Sequence, residues 1–261
     1  MHVRHPVIDF TGLPAMWAAH RQAVHSINAI GIVPAHIEPY LIKVLRQARE
    51  QLDSQQYPDL VADIDVFIKQ EAQHLKLHHQ MNRAVRDGGY EGMAEIEQAY
   101  AADYERFLST KSLRWNVAYC EGFEAMGCLA AQSMVDGLVF ASMSDADPRP
   151  IELWKWHLAE EYEHRTVVFR TFHALYGHQP VRAWFTRLRG LSAAGKHIGT
   201  NINRVYRYLR RTDGDEAKGD RLLLDAGPGA ARAMFAVLSP FYDPARTKPP
   251  RDLDAVLARY T

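Results

Sequence analysis

Apolar residues recur every three or four positions through most of this chain, the period of a helix with one buried face. Four stripes stand out. Pro34 opens the first, a helix to about Leu52 with Glu38, Leu41, Leu45, Ala48 and Leu52 on one face. The second reads Leu60, Ile64, Phe67, Glu71, His74, His78, Met81 and Val85. The third, from about Leu113 to Val139, reads Leu113, Val117, Cys120, Glu124, Cys128, Ala131 and Val135. The fourth reads Trp154, His157, Glu161, His164, Val168, Thr171 or Phe172, and Leu175. Breaks rich in Pro, Gly and Asp fall at Pro6 to Pro14, Gly31 to Pro34, Asp53 to Asp59, Asp87 to Gly92, Ser144 to Pro150, Gly177 to Pro180, Asp213 to Asp220, Gly227 to Gly229 and Ser239 to Pro250. No strand-like alternation, repeat or low-complexity segment is visible. The pattern predicts an all-α protein.

The second and fourth stripes are apolar at both ends and ionisable in the middle. An unpaired buried charge costs several kcal/mol after relaxation, so these groups need a shared compensating partner. Glu71-x-x-His74 and Glu161-x-x-His164 each put a carboxylate and an imidazole one helical turn apart, which is what a dinuclear metal site takes from two helices of a four-helix bundle. Such spacing arises readily by chance; its position in mid-stripe carries the signal. Glu38 and Glu124 supply the carboxylates expected from the other two helices, with Glu121, at the stripe's edge, as second choice for the latter. The candidate catalytic and metal-binding set is Glu38, Glu71, His74, Glu124, Glu161 and His164. Four carboxylates balance two divalent cations, and the imidazoles add nitrogen donors suited to iron, with manganese as the alternative. His157, four residues before Glu161 on the same face, is expected as a further metal ligand, with hydrogen bonding to the ligands as the alternative. His78, one turn beyond His74, is left open between ligand and neighbour, as is Glu121.

These residues carry a resemblance. Gln70-Glu71-x-x-His74-x-x-x-His78, Trp156-His157-x-x-Glu160-Glu161-x-Glu163-His164 and Pro34-x-x-x-Glu38 resemble the signature of a bacterial ferritin-like family known as predicted metal-dependent hydrolases. The triplet His157, Glu161 and His164 is also similar to that of di-iron arylamine N-oxygenases of the p-aminobenzoate type, where an extra histidine completes a site of three His and four Glu. The match spans about residues 30 to 176. It implies a ferritin-like four-helix bundle, one metal-binding domain over 1–261, with the core at about 30–176 and a helical extension at about 180–261. Where the family often has His-Phe-Thr after the third-helix glutamate, this chain has Ala125, Met126 and Gly127, a departure that changes the pocket wall near Glu124.

Composition bounds the rest. At 261 residues and 47% hydrophobic content the chain can bury one substantial core. Lys plus Arg equal Asp plus Glu at 31 each, so global charge gives no argument for nucleic acid. Cys120 and Cys128 sit eight residues apart on one predicted helix, about 12 Å at 1.5 Å per residue, too far for a disulfide. A reduced, cytoplasmic protein is expected. No signal peptide or 18-residue apolar run is present, so no transmembrane segment is expected.

A helix from about Gly92 to Thr110 lengthens the crossover between the second and third stripes. Farther on, Val181 to Thr212 holds eight cations (Arg182, Arg187, Arg189, Lys196, Arg204, Arg207, Arg210 and Arg211) and no acidic residue, beside an apolar stripe of Trp184, Leu188, Leu191, Ile198, Ile202, Val205 and Leu209. A solvated basic face is the ordinary reading; contact with anionic lipid, or a cradle for an acidic partner, is the alternative. Gly190, Gly195 and Gly199 are expected to weaken this helix and let it move over the pocket.

The favoured function is a di-iron, O2-activating oxygenase or desaturase, with a small-molecule substrate and an external electron donor; a homodimer is compatible with it. The alternatives are a hydrolase using metal-bound hydroxide and a non-catalytic metal scaffold. Tyr119, Tyr162 and Glu163 are candidates for proton handling beside the ligands, and Glu160 and Glu163 are expected to face away from Glu161.

Overall fold

The structure, a computed structural model, describes residues 1–141, 143–214 and 230–260. It is all-α among those residues: α1 (Arg21–Ile30), α2 (Ile32–Glu50), α3 (Pro58–Asp87), α4 (Met93–Thr110), α5 (Leu113–Val135), α6 (Pro148–His164), α7 (Val167–Tyr176), α8 (Pro180–Thr212), α9 (Ala230–Leu238) and α10 (Leu253–Leu257). The breaks expected at Gly227 to Gly229, and most of Asp213 to Asp220, lie outside the described residues.

The four stripes form the bundle. α2 packs on α3 and α5 on α6, while α3 meets α6 and α7, and α2 meets α5. The α3 stripe from Leu60 to Val85 is buried along its whole length, as are the stripe positions of α2. α4 bridges α3 and α5 as the lengthened crossover, and lies against α2 and α8. No described helix is long and apolar enough to cross a membrane.

Three boundaries differ from expectation. α2 starts at Ile32, so Pro34 lies inside its first turn, where no amide is needed. Pro39 then leaves the Ala35 carbonyl without its usual partner, directly after Glu38. α5 ends at Val135 rather than Val139, because Gly137 takes φ 74 and its amide turns back to the Met134 carbonyl at 3.0 Å. The fourth stripe is two helices. Arg165 Nη1 donates to the Tyr162 carbonyl at 2.7 Å, the acceptor the next amide of a continuous helix would use, and its Nε donates to the Pro244 carbonyl at 2.9 Å. The break follows His164 directly, while Val168, Thr171 and Phe172 stay buried on α7.

α8 is one continuous helix laid along α5, and Gly190 does a different task from the one expected. A Cβ on Gly190 would stand 2.2 Å from the Ala118 carbonyl oxygen, and one on Gly122 would stand 2.6 Å from Leu191 Cα. These two glycines let the backbones of α5 and α8 touch. Gly190 is therefore a packing contact, not a hinge. Gly195 has only Met126 Sδ nearby, at 3.8 Å, and Gly199 faces open space. Cys120 and Cys128 are both free, buried thiols on α5.

Candidate metal centre

Each of the seven candidate ligands sits where its stripe turns inward. Glu38 comes from α2, Glu71 and His74 from α3, Glu124 from α5, and His157, Glu161 and His164 from α6. All are between 0 and 3% exposed, so a carboxylate cluster of this size has no water to solvate it.

Two overlapping donor groups form. One atom from each of Glu38, His74, His157 and Glu161 lies within 4.8 Å of the others, and so does one from each of Glu71, His74, Glu161 and His164. His74 and Glu161 belong to both. Glu124 joins beside the second group, 3.3 Å from His164 Nδ1, while His164 Nε2 lies 3.1 Å from Glu71. His157 Nε2 is hydrogen-bonded to Glu161 at 3.0 Å and lies 3.4 Å from Glu38. Both oxygens of Glu38, Glu71 and Glu124, one of Glu161, Nδ1 of His74 and both nitrogens of His164 have no hydrogen-bond partner although buried. Buried polar atoms are normally satisfied. This many unsatisfied oxygen and imidazole donors converging on one volume fits two divalent cations.

The residues that support the ligands lie partly outside the stripes. Glu160 is fully buried and hydrogen-bonded to His74 Nε2 at 2.9 Å, which leaves His74 Nδ1 toward the cluster. Arg4, from the N-terminal segment, donates to Glu160 at 2.9 Å and to Glu163 at 3.0 and 3.2 Å; Gln70 donates to Glu163 at 2.8 Å and to the His2 carbonyl at 2.9 Å. Glu160 fixes His74 from behind, and Glu163 acts one step farther back by holding Arg4 and Gln70. Arg4 was invisible in the sequence, since nothing local ties it to residues 160–163. His78 Nε2 is hydrogen-bonded to His157 Nδ1 at 2.9 Å, so His78 orients His157 and is not in either donor group. Glu121 turns away and accepts from Arg187 of α8 at 2.6 and 3.0 Å. Tyr119 and Tyr162 are likewise committed elsewhere, the first to His197 Nδ1 at 2.7 Å and the second to the Thr247 carbonyl at 2.6 Å. Gly127 explains part of the unusual Ala125, Met126 and Gly127 run: a Cβ there would stand 3.0 Å from Glu161 Oε2.

Protonation compensates the cluster when no cation does. Burial, then the charges of Glu71, Glu161 and Glu124, push Glu38 well above the carboxylate range; burial and the charge of Glu161 do the same to Glu124. Burial opposes charging of His74, but Glu160 and Glu71 raise it to about 9, and Glu161, Glu124 and Glu71 raise His164 against the same opposition. Burial would raise Glu71 too, yet the His164 and His74 imidazoles hold it at about 2. His157 is lowered, by burial and then by His74.

Groups raised by folding stabilise fully below their unfolded pKa, and that contribution is lost as pH rises through the folded value. For His74 the window runs from about 6.5, the unfolded value, to about 9. Metal-free protein should therefore weaken across it, and Glu38, Glu124 and His164 act in the same direction. A bound cation replaces those protons. The rise in Tm on adding Mn(II) is thus expected to be larger at about pH 8.5 than at about pH 6. Differential scanning fluorimetry at the two pH values checks it; an equal or smaller rise at the higher pH contradicts the assignment of these groups to metal.

Searches among characterised proteins and among solved structures return no match. The family model described as predicted metal-dependent hydrolase matches residues 2–248, which takes in Arg4, all seven candidate ligands and most of the C-terminal helices. With a buried Glu/His cluster able to hold metal at its centre, this chain belongs to the family of predicted metal-dependent hydrolases.

Proposed function

We propose that the protein is a dinuclear metalloenzyme whose metals are iron and whose reaction is O2-dependent oxygenation or desaturation of a small organic substrate, with electrons from an external donor. The single observation that carries the reading is the donor set: four glutamates and three histidines, all buried, most of whose oxygen and nitrogen atoms have no hydrogen-bond partner. Glu38, Glu71, Glu124 and Glu161 neutralise two divalent cations, and His74, His157 and His164 complete a ligand field suited to iron or manganese. Two ferrous ions held there would supply electrons for reductive activation of O2. Glu160, held by Arg4, keeps His74 in one tautomer with Nδ1 inward; His78 does the same for His157 Nε2. The surrounding apolar residues exclude bulk water, which protects a reactive centre from side reactions.

The family's description gives the second reading, hydrolysis by a metal-bound hydroxide. A hydrolase also needs an acid for its leaving group. Here Glu160, Glu163 and Tyr162, which border the ligands, each already hold a partner, and that favours the oxidative reading.

The test uses what each reaction asks of the metal. Iron-loaded, reduced protein should consume O2 with turnover of its substrate, and zinc-loaded protein should be inert, since zinc has no accessible redox step. Anaerobic hydrolysis of a panel of esters and amides by the zinc form would establish the second reading instead.

A further inference from the structure

Of the eight large hydrophobic residues left exposed among those described, Val7 and Leu138 stand alone. The other six fall in two short stretches: Val181 and Phe185 on the first turns of α8, and Met234, Phe235, Leu238 and Phe241 on and just after α9. Phe235 is 74% and Phe241 86% exposed, values rare for phenylalanine in a soluble monomer. The stretches are neighbours, because Trp184 Nε1 donates to the Leu238 carbonyl at 3.0 Å. Val237 faces inward against Ala125 and Leu191 of α5 and α8, and Met234, Phe235 and Leu238 on the same helix are exposed.

Charge surrounds this apolar surface. Arg182 and Arg189 on α8 and Lys248 after α9 are exposed, as is Arg246, which pairs loosely with Asp243 at 3.5 Å. From Arg165 to Thr212 the chain carries no acidic residue. A concavity of about 720 Å³ lies beside the patch, lined by Arg114, Arg182 and Arg189 together with Trp115, Val181 and Phe185. Three guanidiniums over apolar walls match the phosphate and upper acyl chain of an anionic phospholipid.

We propose that this end of the molecule, α9 with Phe241 and the first turns of α8, is a docking surface for an anionic lipid bilayer, with Phe185, Phe235 and Phe241 inserted at the level of the headgroups and the cations resting on phosphate. A second copy of the chain is a poor occupant. A two-fold contact on this patch would bring Arg182, Arg189 and Lys248 of both copies into one interface, cation against cation, with only Asp243 of the patch to offset them. The inference concerns residues outside the candidate metal centre and stands or falls apart from the proposed reaction.

Intact protein is sedimented with vesicles of phosphatidylcholine alone and of phosphatidylcholine with about a third phosphatidylglycerol. It should partition onto the anionic vesicles at least tenfold more strongly, and salt should release it, since each surface cation adds about fivefold to binding. Phe235→Ser/Phe241→Ser and Arg182→Glu/Arg189→Glu should each weaken partitioning more than tenfold while helical circular dichroism and bound metal stay unchanged. Failure to bind anionic vesicles, binding that survives both double variants, or a wild-type dimer that becomes monomeric in Phe235→Ser/Phe241→Ser would overturn the proposal.

Discussion

Each wild-type chain is expected to bind two metal ions, Glu71→Ala protein no more than one, and Glu161→Ala to behave alike. Glu71 stands within 3.8 Å of His74 Nδ1 and 3.1 Å of His164 Nε2, and Glu161 belongs to both donor groups. Either change leaves three carboxylates facing charges meant for four, in a volume without water. Loss of groups one step removed from a metal commonly lowers affinity 10–100-fold, and loss of a direct ligand should exceed that. Glu121→Ala is the control. Glu121 is as buried and lies on the same helix as Glu124, but Arg187 holds it. That variant should keep its metal and lose about 3–5 kcal/mol of stability through the stranded guanidinium. Elemental analysis of desalted protein decides it: full occupancy in both Glu71→Ala and Glu161→Ala would sink the candidate centre.

Gly190→Ala should be among the most destabilising single substitutions outside the metal cluster. The added methyl would meet the Ala118 carbonyl carbon and oxygen at 2.4 and 2.2 Å, and backbone there cannot swing aside as a side chain would. α8 must lift from α5 along much of their contact, parting Arg187 from Glu121 and Leu191 from Gly122. Overpacking usually costs about 1–3 kcal/mol, and a backbone clash should reach the top of that range or pass it. Tm is expected to fall by roughly 10 °C. Gly199→Ala, on the same helix with open space around it, should be neutral or slightly stabilising. Equal Tm values for the two variants would mean that the close crossing does not hold the helices together.

The helical period alone was enough to place Glu38, Glu71, His74, Glu124, His157, Glu161 and His164 on buried faces, because residues three and four apart share a side of any α-helix whatever packs against it. The bundle stripes and the crossover α4 were legible for the same reason. The break after His164 was not. It depends on Arg165 reaching both the Tyr162 carbonyl and a carbonyl some eighty residues downstream. Periodicity ranked Glu124 above Glu121, at the stripe's edge, but both are buried, and only the position of Arg187 on α8 shows that Glu121 belongs to an ion pair.

Helical period was sufficient for the bundle helices, the faces they bury and the unbalanced carboxylates and imidazoles on those faces. Tertiary structure decided the rest: the two overlapping donor groups, the roles of Arg4, Glu160 and His78 behind them, the use of Gly190 as a contact, and the gathering of Phe185, Phe235 and Phe241 at one end. Burial and helical phase are set by local backbone geometry, which neighbouring residues encode. A hydrogen bond or a 3 Å contact between elements is set by how helices cross, and crossing depends on the whole core at once.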